Sequence, residues 1–231
     1  MNYAVATVVP DAEATYALVN DPQHVAFLQK QCRIYGSPEG TTTALRLALE
    51  EMAVGIAKGF LRLETTVTVY GDYEGKRLVE EITLQLTSDK KRREAGDTFA
   101  WTLSPQRHDR LRVFRDLWER GYVVTFGSKF GADFLIYKDD PKRAHAVALI
   151  VVKGFEEEFA RLDVVSFCRV AKMVKKKLMF ACVQPSDADK NDDEKGDSKD
   201  SGSTEVAADK VVYISLTHAL LVSRQEETGE E

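Results

Sequence analysis

The sequence predicts an α/β (α+β) chain in two units: a small N-terminal α/β domain over residues 1–102, and a domain over residues 103–231 with a mixed sheet flanked by helices. Three observations predict it. Short, β-branched apolar runs of strand length alternate with segments of helical period. The chain has 231 residues, 44% of them hydrophobic, enough to bury a real core. A charged stretch without apolar periodicity, Ser88 to Asp97, separates the halves as a linker within residues 88–102.

The first unit opens with a strand, Tyr3 to Val9. A helix follows, with Asp21 as N-cap and Pro22 in its first turn. Val25, Leu28 and Cys32 share its apolar face, and Gly36 is placed to end it. A second helix covers Glu50 to Lys58 and stops at Gly59. Phe60 to Tyr70 reads as a strand, Gly71 to Gly75 as a turn, and Arg77 to Leu86 as another strand.

The second unit starts at Ser104-Pro105, again a cap followed by a first-turn proline. Leu111, Phe114, Leu117 and Trp118 form one helical face, closed by Gly121. Strands are expected at Tyr122 to Thr125, Phe134 to Tyr137 and His145 to Val152, the last two joined by the turn KDDPKRA. Asp163 is expected to cap a helix with Val164, Phe167, Cys168, Ala171 and Val174 on its apolar face. The strands LMFACV and KVVYISL complete the unit. Between them, residues 186–209 are rich in Asp, Lys and Ser and read as an acidic, disordered insertion within a sheet. Residues 224–231 form an acidic tail.

Several function classes are excluded. No stretch approaches the roughly twenty apolar residues of a membrane helix, and the amino terminus lacks the features of a signal peptide. The expectation is a soluble protein with no membrane span. Cys32, Cys168 and Cys182 are odd in number and lack CxxC spacing, against both a disulfide framework and a zinc site. Phosphate-loop motifs are absent, and GSKFGADF is no GxGxxG. Asp133 and Lys153 suggest a metal-dependent nuclease, but Val151 stands where the second acidic ligand would be needed. No nucleophile elbow or supported cysteine nucleophile is present.

The net charge of −5 hides an asymmetry. Leu103 to Phe180 carries +6, Ala181 to Glu231 carries −8, and Met1 to Thr102 carries −3. A basic middle suits phosphate contacts, as it suits any solvated charged surface.

A general acid–base site remains. A hairpin would fold Tyr137 and His145 towards each other, and Lys176 lies at a helix-to-strand junction of the same unit. Together a Tyr, a His and a Lys can run RNA transesterification. One group takes the ribose 2′-hydroxyl proton, another protonates the departing 5′-oxygen, and a cation stabilises the phosphorane. Taken singly, each residue is more often a packing tyrosine, a surface histidine or a solvated lysine.

The stretch FRDLWERGYVVTFGSKFGADFLIYKDDPKRAHA, Phe114 to Ala146, resembles the catalytic domain of tRNA-intron endonucleases. A helix ends in Arg-Gly-aromatic; Lys-Phe-Gly-Ala-Asp-Phe, a tyrosine, a short turn and a histidine then follow in order. RVAKMVKKKLMFACV, Arg169 to Val183, is similar to the family's small-residue helix and its catalytic lysine, two before a leucine. Counting back from Leu178 gives Lys176, with Lys175 where the family has an arginine and Met173 where it has a serine. KVVYISLTHAL resembles the closing strand, and LRLALEEMAVGIAKG the amino-terminal domain.

The resemblance implies a restriction-endonuclease-like catalytic fold and an endoribonuclease needing no cofactor and no metal. It is nearest to the eukaryotic catalytic subunit assigned to the 3′ splice site. By family role Tyr137 is general base, His145 general acid and Lys176 the transition-state stabiliser. Lys129, Arg143 and Lys175 are further candidates for RNA contacts. The implied products carry a 2′,3′-cyclic phosphate and a 5′-hydroxyl. The implied partners are pre-tRNA, one further catalytic subunit and two structural subunits, with edge pairing through the closing strand as a natural contact. The expected location is the nucleus, with the cytoplasm or mitochondrial surface in some eukaryotes. The alternatives are a non-catalytic scaffold subunit of the same assembly and a basic RNA-binding module.

Overall fold

The computed structural model describes residues 2–9, 15–65, 72–87, 103–185 and 210–216. The expected linker 88–102, insertion 186–209 and tail 224–231 lie outside the described residues.

The first unit comprises β1 (Ala4–Val9), β2 (Tyr16–Val19), α1 (Pro22–Lys30), β3 (Ser37–Pro38), β4 (Leu45–Leu47), α2 (Leu49–Ala57), β5 (Leu61–Thr65) and α3 (Asp72–Thr87). Its five strands are ordered β3-β4-β2-β1-β5, with β1 and β5 parallel. The Asp21 side chain accepts the Gln23 N–H at 2.7 Å and so caps α1. That helix stops at Lys30, short of Gly36, because Arg33 turns the chain with φ 58°.

Arg77 to Leu86 is not a strand: it lies inside α3. Ile82, Leu84 and Leu86 alternate as a strand would, while Val79, Ile82 and Leu86 follow a helical face. The helical set wins. Ile82 and Leu86 are buried and Val79 packs against the core, whereas Leu84 is exposed. The short strands β2 and β4 carry too few residues for their period to be read from sequence.

The second unit comprises α4 (Pro105–Glu119), β6 (Val123–Phe126), β7 (Phe134–Tyr137), β8 (Ala148–Val152), α5 (Arg161–Met173), β9 (Lys177–Gln184) and β10 (Lys210–Leu216). Its sheet is ordered β10-β9-β8-β7-β6, antiparallel except for the β8–β9 pair. The parallel pair requires a crossover, and α5 provides it. Ser104 caps α4 as expected, accepting the Arg107 N–H at 3.3 Å. α5 starts from Ala160, so Asp163 lies in its first turn rather than at its cap. β8 begins at Ala148, leaving His145 on the preceding turn.

This sheet is buried on both faces, which is why β7 and β8 read as nearly unbroken apolar runs. Phe134, Ile136, Ala148 and Ile150 face α4; Leu135, Leu149, Val151, Leu178 and Phe180 face α5. The α4 face is continuous with the first unit, because one apolar cluster contains Leu28, Ile34 and Met52 along with Phe114, Phe134 and Ile150. Tyr213 docks β10 on α4 by donating its hydroxyl to Asp116 Oδ2 at 2.6 Å.

An ionic chain crosses this shared core. Glu50 on α2 is almost fully buried, and its Oε1 accepts Arg110 Nε at 2.9 Å. Arg110 also pairs with Asp133, whose Oδ2 accepts the Val152 N–H at 2.7 Å. Beside Glu50, buried Glu51 accepts the N–H of Gly36 at 2.7 Å and of Ala48 at 3.1 Å, tying the loop before α2 to the helix start.

Removing one member of a buried pair strands the other. Arg110→Met is expected to cost ~3–5 kcal/mol in urea unfolding, with Glu50→Met on top recovering most of it. Burial pushes the Glu51 carboxyl from an ordinary 4.5 up to about 7, against its backbone N–H donors. Between those values the folded chain holds a proton that the unfolded chain has lost, so stability falls as pH rises across that window. The unfolding midpoint of Glu51→Gln should lack that decline relative to the unsubstituted chain.

Candidate active site

Three segments meet at one end of the second sheet, and Val147 joins them. Its N–H donates to the Ile136 carbonyl at 2.7 Å, and its own carbonyl accepts the Lys177 N–H at 3.2 Å. Tyr137 is one residue past Ile136, Lys176 one before Lys177, and His145 two before Val147. With strands spaced about 4.8 Å apart, the whole row from β7 to β9 is only about 10 Å wide. The sequence-expected trio is therefore brought to a single sheet end at the level of the backbone. Tyr137 packs beside the α5-face cluster, Lys176 is half-buried and His145 is exposed.

The turn between Tyr137 and His145 is organised by Asp140. Its Oδ1 accepts the Lys142 N–H at 2.9 Å, spanning Pro141, and its carbonyl accepts the N–H groups of Arg143 and Ala144, both at 2.9 Å. An Asp-Pro start of this kind uses a side-chain acceptor in place of a backbone one. Arg143 stays on the turn through Asp139 at 3.4 Å and Asp140 at 3.8 Å.

Lys176 is set by the end of α5. The Lys175 N–H donates to Lys172 O at 3.1 Å, and the Lys176 N–H reaches back to Ala171 O at 2.9 Å. This is the Schellman pattern, which calls for a left-handed residue after the cap. Lys175 fills that place with φ 52°, where glycine would be unstrained. The turn thus places Lys176 at the sheet end, with a strained neighbour beside it.

The other cations divide by position. Lys175 and Arg143 lie at the same sheet end as the trio, while Lys129 sits in a 3₁₀ turn (Ser128–Phe130) before β7, at the opposite end from Tyr137. Asp133 and Lys153, weighed as nuclease ligands, are committed elsewhere: Asp133 to Arg110 and Val152, Lys153 to Glu157 at 2.5 Å. The Gly-Ala-Asp stretch is structural. Gly131 takes φ 68°, and a Cβ on Gly127 would lie 3.0 Å from the Ala132 carbonyl oxygen. Burial lifts the Cys32 thiol to about 11, keeping it protonated and poorly nucleophilic. Sequence reasoning missed Arg110, whose only sign was one more arginine on a charged helix.

Relief of the left-handed strain gives a test of this turn. Lys175→Gly should raise stability in urea unfolding by about 0.5–1 kcal/mol.

Residues 108–192 match the family described as tRNA intron endonuclease, catalytic C-terminal domain. Over 81 residues the chain is 38% identical to the tRNA-splicing endonuclease subunit Sen34 of Mus musculus, covering 35% of this chain and 26% of that protein. The Homo sapiens protein of the same name is 37% identical over 81 residues, with the same coverage of 35% and 26%. A tRNA-splicing endonuclease of Hyperthermus butylicus is 40% identical over 76 residues, 33% of this chain and 42% of that protein. The aligned part thus spans about a quarter of the mouse and human relatives and about two fifths of the archaeal one. The matched residues contain α5, most of α4, and the whole turn system around Val147. The likeness to the tRNA intron endonuclease family thus lies in residues 108–192 of the chain.

Proposed function

We propose that this chain is a catalytic subunit of a tRNA-splicing endonuclease and cuts pre-tRNA at the 3′ splice site. Tyr137 takes the proton from the ribose 2′-hydroxyl, and the 2′-oxygen attacks the phosphorus. His145 gives a proton to the 5′-oxygen as the P–O5′ bond breaks. Lys176 balances the negative charge on the phosphorane. The products are a 2′,3′-cyclic phosphate and a 5′-hydroxyl, so the atoms balance without a cofactor.

The observation that carries this reading is the double hydrogen bond of Val147, which leaves Tyr137, His145 and Lys176 within two residues of one row. The surroundings support it. The two turns carry Lys138, Lys142, Arg143, Lys175, Lys176 and Lys177 against Asp139 and Asp140, a surplus suited to a phosphodiester. The likeness to proteins named tRNA-splicing endonuclease subunit Sen34 supports a multi-subunit assembly, which we propose to include one further catalytic and two structural subunits and to act in the nucleus.

The test is cleavage of an intron-containing pre-tRNA in EDTA by the chain assembled with its partner subunits. His145→Ala should slow 3′-site cutting by about 10²–10⁴-fold and leave 5′-site cutting intact. Lys176→Ala should cost about 10²–10³-fold at the same site. If His145→Ala cut both sites at the wild-type rate, the chain would be a scaffold rather than the catalyst.

A further inference from the structure

The first sheet has a face that neither apolar cluster uses. Its inner side carries Ala4, Ala6, Val8, Ala17 and Val19, buried in one cluster with Phe27 of α1, Met52 of α2 and Ile82 of α3. Side chains alternate along a strand, so Val5, Thr7 and Val9, with Tyr3 just before β1, stand on the opposite side. Strand register carries that side across the sheet. Tyr16 is opposite Val9, Leu18 opposite Thr7, Arg46 opposite Leu18 and Arg62 opposite Val5. Val5, Val9, Tyr16 and Leu18 join neither cluster, and Tyr3 is 37% exposed.

Two arginine–tyrosine stacks mark this face. Arg46 Cζ lies 3.8 Å from the Tyr16 ring centroid, and Arg62 Cζ lies 3.8 Å from that of Tyr3. A ring contact of this kind orders a long cationic side chain without neutralising it. Among the described residues neither guanidinium makes an ion pair or a hydrogen bond. Other arginines are committed to carboxylates, as Arg110 is to Glu50 and Arg120 to Asp116. Among the described strand residues of this face the one carboxylate is Glu64, opposite Thr7. Tyr3 and Val9 are six residues apart and Tyr16 stands beside Val9, so the two rings are about 20 Å apart along the strands.

We infer that the outer face of the first sheet binds single-stranded RNA, with Tyr3–Arg62 and Tyr16–Arg46 as its two contact points. A guanidinium stacked on one ring keeps a second plane for a base and edge N–H groups for phosphate oxygens. Between the stacks, Val5, Thr7 and Leu18 offer base faces a surface that reads no sequence. Unpaired positive charge at two separated points suits a continuous polyanion, whereas a protein partner would have to bring a carboxylate to each. The second unit packs into the same cluster as the inner side, so this face is turned away from the trio. The inference rests on the cleavage reading only for which RNA is held, a strand of pre-tRNA away from the cut.

The test is binding of a labelled single-stranded RNA of about ten nucleotides to the full chain, read by fluorescence anisotropy. Tyr3→Ala combined with Tyr16→Ala should weaken binding about 10–100-fold, while Phe at both positions, which keeps the rings, should stay within about threefold of wild type. Arg46→Gln combined with Arg62→Gln should lower the slope of log affinity against log salt by about 1.4, roughly 0.7 for each phosphate released. Should the alanine pair fail to fold, the arginine pair alone decides. His145→Ala should bind the oligonucleotide as wild type does, so failure of the cleavage reading leaves this measurement standing. Wild-type affinity and salt slope in the double variants would overturn the inference, because the RNA would then be held elsewhere. An alanine pair that binds RNA normally but no longer joins its partner subunits would also overturn it, making the face a protein interface.

Discussion

Val147 makes two backbone hydrogen bonds, one to Ile136 on β7 and one from Lys177 on β9. Everything at the candidate site is measured from that row. The hairpin arriving from β7 must return in register with Val147, which fixes the length of the turn holding His145. The helix α5 must end where Lys177 can donate, which requires a tight reversal and puts Lys175 in a left-handed conformation. A one-residue slip at either strand would exchange the two faces, sending Tyr137 from the α5 side to the α4 side. Both faces of the sheet are buried, so such a slip would expose or crowd a packed layer.

The α4 face has a second duty. α4 lies between α2 and the second sheet, and its buried side carries Leu111, Val113, Phe114 and Leu117. Apolar packing alone would hold it loosely in register. The chain from Glu50 through Arg110 to Asp133 adds direction, because a buried carboxylate tolerates few positions for its cation. Asp133 in turn receives the Val152 N–H, so the charge reaches the end of β8. The opposite end is met by Arg33, whose guanidinium donates to the Tyr122 carbonyl, just before β6, at 3.1 Å. The first unit therefore contacts the second sheet at both ends of its strands, with the apolar cluster between.

Charge follows the same division. The positive residues gather on the two turns at the Val147 end, while the paired carboxylates Asp139 and Asp140 are used within the turn itself. Lys129 and Lys153 lie at the other end, the latter paired with Glu157. These two groups of cations thus lie at opposite ends of the sheet, and only one of them borders the trio.

Local signals were legible wherever the physics was local. Asp21 and Ser104 cap helices because a side-chain oxygen meets an N–H two or three residues on. Phe134–Tyr137 and Lys210–Leu216 are strands within the bounds their apolar runs suggested. Tyr137 and His145 were readable as neighbours because an Asp-Pro turn joins them, whereas Lys176 needed the resemblance. α3 reads as a strand because Ile82, Leu84 and Leu86 satisfy a strand while Val79, Ile82 and Leu86 satisfy a helix, and only packing against α2 and β5 decides between them. The contacts between the two units were invisible for a different reason. Arg33 and Tyr122 are 89 residues apart, Gln29 and Lys142 113, and Glu50 and Arg110 60. The sequence by itself determined which residues could carry the chemistry and which turns they stood on, because propensity and capping act over a few residues. Only the tertiary structure decided which of them share a sheet end and what holds them there, because those contacts exist only once two distant segments are buried against one core.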